Sequence, residues 1–171
     1  MLSFLVPVLA AAFAALVLTG AVRDLISYTI PNWISFAILG LFPVAALAAD
    51  VSLSTAGLHA AIGVGVLVAA MAMFAFRWIG GGDAKLFASA AFWMGWPAIT
   101  DFMLWTALTG GVLAVVLMSM RRAPLRPIVL LGPPWLVKLS EPGGAAPYGV
   151  AIAVGALVAL PKSPLLSGLV L

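Results

Sequence analysis

Cysteine is missing from all 171 residues, and histidine occurs once, at His59. The first absence excludes disulfides, a thiolate nucleophile and a cysteine-ligated zinc site. The second argues against a histidine-based metal centre or a serine–histidine triad. Charge is scarce as well: 8% of residues are charged, and only five are acidic. A soluble domain carries about a quarter charged residues, so this composition cannot build a water-facing surface. No polar stretch is long enough to fold separately. With 65% hydrophobic residues and a mean hydropathy of +1.25, the chain reads as one polytopic membrane domain over residues 1–171.

What the chain has instead is a succession of apolar runs. Residues 2–22 are the first, about 20 residues, enough to cross a hydrocarbon core of about 30 Å. No basic stretch precedes the run and further apolar segments follow at once, so a transmembrane helix is expected there and not a cleaved signal peptide. Arg23 and Asp24 end it. Asn32, just after Pro31, is placed to cap a second helix over 33–49. A third helix is expected over 56–76, ending at Arg77 and Trp78. A shorter fourth covers 85–99, with Trp93, Trp96 and Pro97 at an interfacial end and Asp101 in a tight turn. A fifth covers 102–120 and stops at Arg121-Arg122. Residues 121–144 form the one sizeable loop, with prolines at 124, 127, 133, 134 and 142. A sixth helix starts near Pro147 and runs to about Leu160. The tail beyond Pro161 reads as a half-helix. The expected fold is therefore an all-α membrane bundle of about six transmembrane helices.

The charges agree with that count. Arg23, Arg77, Lys85, Arg121, Arg122, Arg126 and Lys138 fall in loops after odd-numbered helices, which leaves only Lys162 of the eight basic residues on the other side. The positive-inside rule then makes those loops cytoplasmic and puts both termini outside the cytoplasm. Asp50 and Asp101 go to the outer side, and Asp24, Asp83 and Glu141 to the cytoplasmic side. Glu141 lies in the Pro/Gly loop near Lys138. Asp24, ending helix one, and Asp83, opening helix four, are the two carboxylates that a bundle can bring together.

Gly80-Gly81-Gly82-Asp83 is the least expected stretch. Glycine costs order in a helix, and an aspartate near lipid is expensive. The combination suggests an open backbone with room for something to lie close to one carboxyl. Two carboxylates at close range share a single proton. One draws a proton from a water that attacks a peptide carbonyl. The other hydrogen-bonds the carbonyl oxygen and helps protonate the leaving amine. Blander readings stay open on the residues alone. Arg23-Asp24 also fits a surface ion pair, Asp83 and Lys85 fit a helix cap, and boundary acids occur in transporters.

Gly80 to Leu86, GGGDAKL, resembles the G-x-G-D signature of membrane aspartyl proteases, in the form found in type IV prepilin peptidases. Asp24 followed by Ile30-Pro31-Asn32, and Pro147-Tyr148-Gly149 opening the last helix, resemble two further segments of that family. The order is right, and the resemblance spans about residues 4–160. It implies Asp24 and Asp83 as catalytic, with Gly80, Gly81, Gly82, Lys85, Pro31, Asn32, Pro147, Tyr148 and Gly149 as motif or substrate-access positions. It implies no metal, cofactor or nucleic acid. Larger members carry an N-terminal region with paired CxxC motifs and also N-methylate the product; this chain resembles the short, peptidase-only form of Flp/Tad pili. The implied substrates are prepilins or pseudopilins with a short basic leader, cut at the cytoplasmic face of a bacterial inner membrane. Membrane lipid and pilus-assembly machinery are the further implied partners.

Other residues take lesser parts. Lys85 fits either a charge-stabilising group near the dyad or a snorkelling interface lysine. Asn32 fits a cap or a substrate contact. His59 lies away from the dyad and has no role. The tryptophans read mostly as interfacial anchors, and the small-residue runs 10–15, 57–65 and 88–91 as close helix packing. The competing function is a non-enzymatic transporter or assembly subunit, for which acids at mid-bilayer and internal repeats would be expected.

Overall fold

The chain is described from a computed structural model, whose structure describes residues 4–122, 131, 132, 137, 139 and 146–169. Among the described residues every regular element is helical: α1 (Leu5–Ser27), α2 (Asn32–Ala48), α3 (Leu53–Ala75), α4 (Gly81–Met94), α5 (Ala98–Met120) and α6 (Tyr148–Ala159). Two 3₁₀ turns follow, Leu160–Lys162 and Pro164–Leu169. The helices α1, α3 and α5, of 23 residues each, are long and apolar enough to cross a membrane. At 1.5 Å per residue each reaches about 34 Å, against a hydrocarbon core of about 30 Å. Their outer faces carry exposed Leu18, Val22, Val64, Val68, Val112 and Val115, an apolar surface that a bilayer and not water would solvate.

The short α4 is the central post. Nine of its 14 residues are buried, and five helices surround it. Alanines 84, 88, 90 and 91 let the neighbouring backbones come close, which is how helices associate where the hydrophobic effect is absent. Gly20 of α1 lies against Leu86, and Phe13, lower on α1, stacks on Trp93 with ring centroids 4.6 Å apart, so α1 and α4 run antiparallel. The Trp93 indole donates to the Ile38 carbonyl of α2 at 2.9 Å. On α3, Gly63 lies under the Phe92 ring, and Gly81 packs near Phe74. Trp93 is thus buried among helices and is not an interfacial anchor; Trp33, Trp78, Trp96 and Trp105 are exposed, as anchors would be. Gly57 and Gly65 have open space beside them, so that part of the 57–65 run is not a packing surface.

Several boundaries differ from the sequence expectation. Helix α1 continues through Arg23 and Asp24 to Ser27. Helix α4 begins before Asp83, which sits in its first turn. Asp101 lies in the first turn of α5, not in a connecting turn, and pairs with Lys162 at 2.8 Å. The tail is not a half-helix. Its Ser163 hydroxyl donates to the Trp93 carbonyl at 2.6 Å, tying the 3₁₀ turns to the C-terminal end of α4. His59 is fully buried at this same end, with Nδ1 2.8 Å from the Phe92 carbonyl. Its ring leaves no room for a Cβ at residue 95, where Gly95 also holds φ +61°. Both demands select glycine. Arg126, Lys138, Glu141 and the five prolines of the expected long loop lie outside the described residues.

The opposite end of the bundle gathers the end of α1, the start of α2, the end of α3, and the starts of α4 and α6. Helix α5 runs antiparallel to α6, with Gly110 beside Tyr148 and Thr106 beside Gly155.

Candidate active site

Asp24 faces inward near the end of α1 and is 5% exposed. Beyond it the helix closes on Tyr28, held in the left-handed region at φ 54°, whose N–H donates to the Asp24 carbonyl. The Asp24 carboxylate meets the first turn of α6. Gly149 donates its backbone N–H to Asp24 Oδ2 at 2.8 Å. A helix N-terminus offers amides without partners and a favourable dipole, so a carboxylate is well placed there. Pro147, fully buried, precedes this turn.

Asp83 is the third residue of α4 and is 8% exposed. It also stands at a helix N-terminus, its own. The amides of Gly80 and Gly149 both face its carboxyl, and the charge of Asp24 acts on it. Its Oδ1 is buried without a hydrogen-bond partner. Gly149 is therefore common to both acids: its amide serves Asp24 directly and faces Asp83.

The glycines before Asp83 have separate jobs. None of Gly80, Gly81 and Gly82 has positive φ, so steric room and not backbone freedom is what they supply. A Cβ on Gly80 would lie 2.9 Å from Asp83 Oδ2. A Cβ on Gly82 would lie 3.2 Å from Ile30 Cβ and 3.3 Å from the Ile30 nitrogen. The glycine run thus admits its own carboxylate and the segment that follows α1. It also lines a cavity of about 210 Å³ with Asp24, Thr29 and Asp83.

Lys85 and Asn32 hold the same two segments together. The Lys85 ammonium donates to Asn32 Oδ1 at 2.9 Å. Pro31, and not Asn32, occupies the N-cap of α2, and no side chain caps that helix. The expected cap is thus corrected: Asn32 spends its carboxamide oxygen on Lys85, one residue too late to cap.

Over both acids opens a larger cavity of about 640 Å³. Tyr28, Trp78, Gly80 and Tyr148 line it with Asp24 and Asp83. Of these, the sequence singles out Tyr148 and marks Trp78 as an interface residue, whereas Tyr28 enters the site only through the fold. His59, Asp50 and Asp101 lie at the other end. The site brings together two buried carboxyls, a cavity of about 640 Å³ over them, and the backbone amide of Gly149.

The sequence profile of the type IV leader peptidase family matches residues 11–115, more than half of the chain. Asp24 and Asp83 fall inside the match, and Pro147-Tyr148-Gly149 falls beyond it. No curated protein and no solved structure matches. The chain belongs to the type IV leader peptidase family.

Proposed function

We propose that this chain is a membrane aspartyl endopeptidase that removes the basic leader from Flp/Tad-type prepilins or pseudopilins. The observation that carries the reading is the convergence of Asp24 and Asp83 on one cavity, with Gly149 between them. The pair holds one proton between its two carboxyls. The ionised member takes a proton from a water, whose oxygen attacks the scissile carbonyl. The protonated member donates to the carbonyl oxygen, and the proton taken from water passes to the leaving amine as the C–N bond breaks. Gly149 and Gly80 keep the acids in place through backbone amides. Lys85 and Asn32 hold the α4 turn against the start of α2. A substrate peptide must be extended to be cut, and the wide cavity over the acids gives it room.

The helices α1 to α6 belong to one peptidase domain over residues 1–171, and all six cross the inner membrane with both termini outside the cytoplasm. The shorter helices α2, α4 and α6 cross inside or against a protein shell, so their length need not match the lipid. The active site then faces the cytoplasm, on the side that holds Arg23, Arg77, Lys85, Arg121 and Arg122. Family membership also favours this reading over a transporter or assembly subunit.

Co-expression with a Flp-type prepilin tests the proposal. Wild-type chain should produce a faster-migrating pilin, with mass spectrometry placing the new N-terminus between the basic leader and the apolar helix. An unprocessed cognate prepilin, despite well-inserted enzyme, would overturn it.

A further inference from the structure

Asp83 forms part of the wall of a second cavity. This one, of about 280 Å³, runs down between α4, α5 and α6. Ile79 and Tyr148 border it as they border the larger chamber. Its deeper lining is Phe87, Thr106 and Ile152. Phe87 and Ile152 are one turn further into the bundle than Asp83 and Tyr148. The larger chamber is bounded by two carboxyls and by Arg77, whereas this groove is apolar apart from Asp83, Thr106 and Tyr148.

One face of α5 makes the open side. Ala107, Gly110, Gly111 and Ala114 line the groove, and their i, i+3, i+4, i+7 spacing puts them on one stripe of the helix. The trough continues over Leu108, Val112 and Val115 as a shallower apolar hollow of about 360 Å³. Packing accounts for Gly110, where a Cβ would lie 3.2 Å from Tyr148. It does not account for Gly111, where a Cβ would meet nothing within 4 Å. Asp83, whose Oδ1 is buried without a hydrogen-bond partner, lines both this groove and the larger chamber.

We propose that this groove receives the first turns of the substrate's apolar helix, just past the scissile bond, while the charged leader lies in the larger chamber. The inference rests on the peptidase reading above. A leader peptidase must hold a chain that changes from polar to apolar at the cut. Here a polar chamber and an apolar groove share Asp83 as a wall, in that same sequence. A stripe of small residues also lets a second helix approach closely in lipid, where packing contacts supply the association energy.

The absence of cysteine makes disulfide trapping clean. Gly111→Cys is combined with a Flp-type prepilin carrying one cysteine in the first turn of its apolar segment. Gly57→Cys, on an open face of α3, is the control. Crosslinking to prepilin is expected at residue 111 and not at residue 57. Gly111→Leu puts a side chain into the groove at a position where a Cβ meets nothing within 4 Å, and should raise KM about tenfold, which corresponds to about 1.4 kcal/mol of binding. Gly57→Leu should leave KM unchanged. Where the wild type processes the prepilin, absence of the residue-111 crosslink, or an unchanged KM for Gly111→Leu, would overturn the groove and leave the peptidase standing. A crosslink between two copies of the chain, in place of one to prepilin, would also overturn it. A wild type that processes nothing would instead bring down the peptidase reading, and this inference with it.

Discussion

Gly149 donates its backbone N–H to Asp24 across 125 residues of sequence, at 2.8 Å. A Cβ at residue 149 would lie 2.9 Å from Asp24 Cβ and 3.0 Å from Oδ2. Gly149→Ala must therefore push α6 away from α1 or turn the carboxylate aside. Small misplacements of a catalytic group cost about 100-fold in rate. Cleavage by Gly149→Ala should fall by about that factor, measured as initial rate in membranes with matched enzyme levels. A wild-type rate would mean that Asp24 does not depend on this contact.

Lys85 and Asn32 act as one unit if their 2.9 Å hydrogen bond is what matters. Lys85→Met and Asn32→Ala should each slow cleavage about threefold to tenfold, as expected for loss of one partly exposed charged hydrogen bond worth about 1 kcal/mol. The double variant should be no slower than the worse single variant. Multiplying effects would show that the two side chains work separately.

Asp50 and Asp101 supply the contrast. Asp101 pairs with Lys162 far from the cavity, in a bridge whose lysine is 60% exposed. Such bridges are worth about 0–1 kcal/mol. Asp50 holds φ 52°, a conformation that asparagine also tolerates. Asp50→Asn and Asp101→Asn should each cleave within about twofold of wild type. A large loss at either would mean that the chemistry sits at the other end of the bundle.

How much of this was legible beforehand depends on the kind of contact. The helical bundle and the helix order followed from apolar runs, and Asp83 stood out because glycines and an acid interrupt them. The ends of α1 and α4 did not. Arg23 and Asp24 look like a helix terminus because charge is costly in lipid, yet the helix continues, since Asp24 turns inward to an amide on α6. That amide belongs to Gly149, 125 residues further along the chain. Asn32 shows the same limit: next to Pro31 it looks like a cap, but its partner is Lys85, 53 residues on. Trp93 looked interfacial because it lies near a helix end; Phe13 and the Ile38 carbonyl, both distant in sequence, bury it. The glycine motif was recognisable, but the separate contacts of Gly80 with Asp83 and Gly82 with Ile30 needed the fold.

The central claim is that Asp24 and Asp83 form one hydrolytic pair. Asp24→Asn and Asp83→Asn keep side-chain size and remove the carboxylate. Each is co-expressed with a Flp-type prepilin, insertion is verified, and the pilin is followed by its size shift on a gel. The account predicts a complete shift with wild type and none with either variant. A shift that survives in either variant would contradict it.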